Sequence, residues 1–165
     1  TAAGSPLEIV LKVLDTSNSC SPLVGAAVYL WHANIDGKYS MYSQGVTNEN
    51  YLRGVQETDS NGEVHFTSIF PGCYDGRWPH LHFEVYPSVA KAVAAGNKLR
   101  TSQMAMPQDI CQQVYATSGY SQSITNLSRV SLKTDNVFSD GYSLQLGTMT
   151  GSVGDDLTAT LAVPV

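Results

Sequence analysis

His80-Leu81-His82-Phe83-Glu84-Val85-Tyr86 alternates strictly, with Leu81, Phe83 and Val85 on one side and His80, His82 and Glu84 on the other. A strand turns successive side chains to opposite faces, so this run predicts a strand with one apolar and one polar face. Upstream, Glu63-Val64-His65-Phe66-Thr67-Ser68-Ile69 alternates in the same way, launched by the turn Asp59-Ser60-Asn61-Gly62 and stopped at Pro71-Gly72. Nearer the start, Leu7 to Leu14 and Ala26 to His32 are dense in β-formers, separated by a turn-rich connection over Asp15 to Gly25. Later, Thr101 to Met106 reads as a buried strand, and Ser143 to Leu146 and Thr158 to Val163 as two more, joined by a Gly- and Asp-containing hairpin connection. Two stretches break the period: Pro87 to Ala95 is rich in helix formers and ends at Gly96, and Pro107 to Tyr115 opens on Pro with Asp109 in its first turn. Many short strands with turns about every ten residues predict an all-β fold, a β-sandwich of mostly antiparallel strands with short helical insertions.

At 165 residues the chain has room for one core, so residues 1–165 are read as a single domain, with a linker-like start over residues 1–5. Charged residues make up 14% against about 25% in soluble proteins generally, which leaves an uncharged polar surface. The net charge is -5 and no Lys/Arg run exists, so nucleic acid is excluded as a partner. No stretch approaches the ~20 continuous apolar residues of a spanning helix, and no signal-peptide pattern opens the chain, as expected of a soluble mature or excised piece. Cys20, Cys73 and Cys111 show no C-x-x-C spacing, which removes zinc-finger and thioredoxin readings. Low charge, abundant Tyr and the linker-like start predict a secreted, extracellular protein in which one disulfide can form. Asn126-Leu127-Ser128 fits the glycosylation sequon, a pattern too short to decide anything.

His80 and His82 project from one strand face about 7 Å apart at Cα, close enough to share a metal. Two imidazoles leave a site incomplete, and an isolated H-x-H more often faces solvent. The loop Pro71-Gly72-Cys73-Tyr74-Asp75-Gly76-Arg77-Trp78-Pro79 brings Tyr74 and Arg77 beside them. A Tyr74 phenolate suits a highly charged Lewis acid such as Fe(III), whereas Asp75 with two histidines would make an Fe(II) facial triad. Alone, each Tyr is more simply a packing residue, Arg77 a solvated loop cation and Gln103 a strand-edge amide. His32 and His65 read as structural.

The run Pro22 to Asn34, then Gly37-Lys38-Tyr39-Ser40, Leu52-Arg53-Gly54, Thr58-Asp59, Gly62, Phe66 to Ile69, Pro71-Gly72, Tyr74 and Arg77 to Phe83 resembles, in order and spacing, the catalytic core of the intradiol ring-cleavage dioxygenases. The resemblance covers about residues 7–106 and implies a prealbumin-like sandwich holding non-haem Fe(III) by two Tyr and two His. Carried over, the metal ligands are Tyr39, Tyr74, His80 and His82, with Tyr74 and His82 axial, Tyr39 and His80 equatorial and a solvent hydroxide as fifth ligand. Arg77 and Gln103 fall on the family's active-site Arg and Gln. With Tyr74 as a base, they would serve cleavage of a catechol-type ring by O2 between its hydroxylated carbons, giving a cis,cis-muconate-type diacid.

Only Asp75 and Gly76 separate Tyr74 from Arg77, where family members commonly carry a long segment, so one pocket wall is short and loose selectivity among catechols is expected. The helical dimerisation region of the intracellular enzymes is absent, and the chain resembles the small secreted branch, some of whose members are fused to a carbohydrate-binding module. A bond from Cys73 to Cys111 or Cys20 would brace the ligand loop, with no basis for choosing between them. The rival reading is a non-catalytic prealbumin-like or carboxypeptidase-regulatory-like binding module, which shares Pro-x-x-Gly-Ala-x-Val, Thr-Asp-x-x-Gly and Pro-Gly-x-Tyr but has no need of Tyr39, Arg77, His80, His82 and Gln103 together.

Overall fold

The computed structural model describes all residues, Thr1–Val165. In chain order its elements are β1 (Pro6–Asp15), β2 (Ser21–Pro22), β3 (Ala27–Trp31), β4 (Arg53–Glu57), β5 (Glu63–Ile69), β6 (His80–Tyr86), α1 (Val89–Val93), β7 (Arg100–Ala105), α2 (Gln108–Tyr115), α3 (Ser121–Leu127), β8 (Thr148–Thr150) and β9 (Thr158–Pro164). One sheet joins β2, β1, β9 and β8, with β5 also paired to β1, and the other runs β4-β3-β6-β7. The predicted all-β sandwich with short helices is the observed architecture. Pairing is antiparallel throughout the named strands except between β1 and β9, which run parallel from Glu8↔Thr158 to Leu14↔Pro164.

Alternation fixes which side chains enter the core. Leu7, Ile9, Leu11 and Val13 of β1 and Leu81, Phe83 and Val85 of β6 are buried in one cluster, which also takes Cys73, Cys111, Tyr115 and Tyr120. Each such aliphatic side chain contributes about 1.5–3 kcal/mol on burial, and the register of β6 that buries its apolar face turns His80 and His82 to the other.

Four expectations need correction. Ser143–Leu146 is not a strand. Ala105 N–H donates to Gln145 O (2.7 Å) and Gly147 N–H to Ala105 O (2.9 Å), so the segment covers the open edge of β7 before the chain crosses to the other sheet as β8. Strand β7 itself is not buried along its length, because it lies at the sheet edge and is exposed at Arg100 and Thr101. The linker-like start ends before Ser5, which is buried, takes Phe70 N–H on its carbonyl (2.8 Å) and donates its own N–H to Tyr120 Oη (3.1 Å). All three cysteines are free thiols. Cys20 is exposed, while Cys73 and Cys111 are buried but face different carbonyls, those of Arg77 and Met106 respectively. Helix α3 and strands β2, β4 and β8 had no expectation. The sequon lies in and just after α3, where Asn126 is buried and hydrogen-bonded and so is no accessible glycan acceptor in the folded chain.

Candidate metal centre

Tyr39 follows a tight turn built by Asn34. The Asn34 side-chain oxygen accepts Asp36 N–H (3.0 Å) and Lys38 N–H (2.9 Å), and Gly37 occupies the left-handed region at φ 74°. A Cβ on Gly37 would lie 2.8 Å from Tyr74 Cβ, so this glycine lets the Tyr39 loop close directly onto the backbone of Tyr74. Beyond Tyr39 the loop is tied to β4, since Arg53 donates to Ser40 Oγ (3.0 Å) and Ser40 O (2.7 Å) and reaches Tyr29 Oη.

The loop that carries Tyr74 has little regular structure, and its polar groups are met by side chains instead. Tyr120 donates to Phe70 O (2.8 Å) and Tyr115 to Pro71 O (2.9 Å). Cys73 N–H donates to Ser123 Oγ (2.9 Å), and Asn126 donates to Cys73 O (2.8 Å). Gly72 packs so closely that a Cβ would lie 2.3 Å from Asn34 O. Helices α2 and α3 with the joint between them therefore grip the residues leading into Tyr74, each buried bond contributing about 1 kcal/mol when made and costing more when one partner is orphaned.

Four side chains meet at one point. Tyr39 Oη lies 3.2 Å from His80 Nε2 and 3.1 Å from His82 Nε2, the two imidazole nitrogens are 3.0 Å apart, and Tyr74 Oη is 3.5 Å from His80 Nε2. His80 Nδ1 is engaged by the Trp78 carbonyl, which fixes Nδ1 as the protonated nitrogen and turns the lone pair of Nε2 inward. The two imidazole nitrogens and two phenol oxygens spaced in this way match the mutual separations of ligands held about 2.0–2.2 Å from a shared cation. The donor set, hard oxygen anions with imidazoles, fits a hard and highly charged ion. Asp75 is not among the convergent groups, so the facial-triad alternative fails. The separate grouping Asp59, Glu63 and His65 is turn chemistry, because the Asp59 carboxylate caps Asn61 N–H (2.8 Å) and Glu63 N–H (2.9 Å).

Cross-strand pairing places the rest. Trp31 of β3 and Gln103 of β7 both lie opposite His82 of β6, so the three share one row on one face. Trp31 stacks on the His82 ring with centroids 4.8 Å apart and planes within 4°, and with Tyr39, Tyr42 and His82 it lines an open cleft of about 210 Å³. Arg77 donates through Nη2 to Gln103 Oε1 (2.6 Å) and lies 3.5 Å from Tyr74 Oη through Nη1. The structure thus brings together all six residues singled out in the sequence, Tyr39, Tyr74, Arg77, His80, His82 and Gln103. Two neighbours were not foreseen. Trp31 was visible as a β-former within the motif run Pro22 to Asn34 but carried no site role, and Asp135, in a segment without periodicity, pairs with Arg77 at 2.8 Å. Tyr51 Oη accepts a bond from Asn34 (3.3 Å), which ties it to the turn before Tyr39.

A model of the family described as Dioxygenase matches residues 1–117. The chain belongs to the intradiol ring-cleavage dioxygenases. It is 33% identical over 72 residues to a chlorocatechol 1,2-dioxygenase of Rhodococcus opacus, an alignment covering 44% of this chain and 27% of that protein, so it spans about a quarter of the curated relative. An intradiol ring-cleavage dioxygenase from Tetranychus urticae has the same fold with TM-score 0.81 at 27% identity, over 99% of this chain and 81% of that one. Catechol 1,2-dioxygenase from Pseudomonas arvilla C-1 shares the fold alone, with TM-score 0.64 at 20% identity over 99% of this chain and 53% of that one. The binding-module reading shares the scaffold with this family but gives the four convergent side chains no purpose.

Burial governs protonation in this centre. It pushes His80 down to about 3 and His82 to about 4, and His32, which bonds Ala33 O and Ser68 Oγ, to about 4. It pushes the Tyr39 phenol well up, with Tyr74 beside it adding to the effect. The imidazoles are therefore neutral and ready as donors at neutral pH. Their folded values lie below the ordinary 6.5, so between about 6.5 and 4 the unfolded chain takes up protons that the folded chain refuses. Stability is fully present above about pH 6.5 and falls on acidification through that window. The metal-free protein is expected to melt progressively lower at pH 7, 6 and 5, and a melting temperature flat across that range would contradict the assignment.

Proposed function

We propose that this chain is a non-haem Fe(III) intradiol dioxygenase that opens catechol-type rings with O2 between the two hydroxylated carbons, yielding a cis,cis-muconate-type diacid. The observation that carries this reading is the convergence of Tyr39, Tyr74, His80 and His82 beside an Arg77 held by Gln103. In this proposal Tyr39, Tyr74, His80 and His82 hold the iron. When bound, the iron supplies a Lewis acid that draws electron density from a catecholate and opens it to O2. Two phenolates offset much of the ion's charge, which lowers the cost of burying it.

The protein's own groups do the remainder. Tyr74 Oη, 3.5 Å from both His80 Nε2 and Arg77 Nη1, is placed to take a hydroxyl proton from the arriving substrate. The Arg77 guanidinium stabilises negative charge developing on the ring, while Gln103 fixes where that cation sits. Trp31 and Tyr42 flank the open side, where a planar ring can stack. We propose secretion as its setting, and the composition supports that reading. Fusion to a carbohydrate-binding module is proposed on the same resemblance.

The test is a visible spectrum of the purified protein with iron quantified, followed by catechol under air. A broad tyrosinate charge-transfer band that shifts on catechol addition and gives a muconate is the expected result. A protein that stays colourless after iron reconstitution would overturn the proposal.

A further inference from the structure

The match to the family model ends at residue 117, yet the side chain that holds Arg77 comes from residue 135. Asp135 is fully buried in a chain whose other carboxylates sit mostly at the surface, and it makes no contact with solvent. Its Oδ2 accepts Arg77 Nε–H at 2.8 Å and Trp78 N–H at 2.7 Å, and its Oδ1 accepts Val137 N–H at 2.8 Å and Phe138 N–H at 3.1 Å. Burial opposes this charge, but the bonds from Arg77, Trp78 and Val137 outweigh it and hold the carboxyl below its usual range.

A guanidinium held at one point swings about that point, and one held at two is fixed in plane. Arg77 is held at two, through Nε by Asp135 and through Nη2 by Gln103, and the remaining Nη1 edge is left facing Tyr74 Oη. Asp135 engages Nε, whereas a different nitrogen, Nη1, faces Tyr74 Oη and the candidate metal centre. A carboxylate facing the cleft would repel an anionic catecholate, whereas this one spends its oxygens on four N–H donors behind the cation. The same loop sets Phe138 against the His80 ring, with centroids 6.4 Å apart.

We propose that Asp135 is a positioning residue of the ring-cleavage reaction, acting through Arg77: with Gln103 it fixes the guanidinium so that Nη1 faces charge developing on the substrate ring. The inference rests on the dioxygenase reading above, and a misplacement of about 1 Å in such a group costs on the order of 10²-fold in rate.

The test compares iron-loaded wild type, Asp135→Asn, Arg77→Ala and the double variant. Asp135→Asn keeps size and one acceptor oxygen but cannot accept both Arg77 and Trp78 while accepting Val137 and Phe138. We expect it to keep its iron and its colour, to bind catechol anaerobically within about threefold of wild type by visible titration, and to lose roughly 10- to 100-fold in kcat with little change in KM. Added to Arg77→Ala, it is expected to cost no more than about threefold further, because groups that act through one another are not additive. Wild-type kcat in Asp135→Asn, or an equal loss with and without Arg77, would overturn the proposal. Should Asp135→Asn not fold, Arg77→Lys decides: a cation lacking the planar fork is expected to lose at least about tenfold in kcat, and full activity would overturn the fixed-plane argument. A wild type that holds iron but leaves catechol intact would instead remove the dioxygenase reading on which this rests.

Discussion

Replacing His80 by Ala is expected to strip the iron and with it the visible colour, lowering ring cleavage by at least about 10³-fold. His80 is the hub of the centre, since its Nε2 lies within 3.5 Å of Tyr39 Oη, Tyr74 Oη and His82 Nε2. It is also the most firmly oriented of the four, buried, tied through Nδ1 to Trp78 O and packed on Phe138. A metal site that loses its best-oriented donor loses affinity steeply, because the remaining ligands no longer define a coordination shell. Tyr74→Phe serves as the companion variant. It keeps the ring and removes the oxygen, and we expect a shifted and weaker charge-transfer band with most of the activity gone. Iron content by metal analysis and the visible spectrum are the measurements. A His80→Ala variant that retained iron and ring opening would show that the ligand set is wrong.

Gly72→Ala should be nearly as damaging, although glycine carries no chemistry. Its Cβ would lie 2.3 Å from Asn34 O and 2.7 Å from Ile35 O, both backbone atoms that cannot rotate away. The turn that presents Tyr39 and the loop that presents Tyr74 would have to separate, which also breaks the Gly72 N–H bond to Asn34 O at 3.2 Å. Overpacking of this kind typically costs about 1–3 kcal/mol, and here the lost bond and the displaced Cys73 clamps add to it. A fall of several degrees in melting temperature together with weakened iron retention is expected, measured by thermal unfolding with and without iron. A wild-type melting temperature would mean that the two loops yield independently.

The strands that build the site were legible because β6 and β5 alternate cleanly and are bounded by Gly, Pro and Asp turns, a local signal that survives in one dimension. The six site residues were legible through ordered motif spacing, since five of them fall within the compact run from Tyr39 to His82. What stayed hidden depends on contacts between distant parts of the chain. Asp135 reaches Arg77 across 58 positions and Asn126 reaches Cys73 across 53, and neither sits in a periodic stretch. Helix α3 lacks a side-chain N-cap bond and has acidic residues nowhere in its first turn, so its ends left no mark. Ser143 to Leu146 misled in the opposite way. Its composition suits a strand, but only Leu146 finds a bridge, to Ala105, because the segment serves as a cover rather than a ladder.

The parallel seam between β1 and β9 carries a consequence for biosynthesis. Residues 8–14 wait for residues 158–164, so the first strand has no partner on that side until almost all of the 165 residues have left the ribosome. Contacts this distant in sequence close late and slowly. During translation the nascent chain holds the proposed ligands Tyr39, Tyr74, His80 and His82 well before Asp135 and α3 exist to orient their loop, and metal capture at that stage would meet an unfinished pocket. Synthesis order thus separates the arrival of the candidate ligands from the arrival of the residues that set their geometry, and the proposed metal site is complete only once residues 121–135 have packed against the Tyr74 loop.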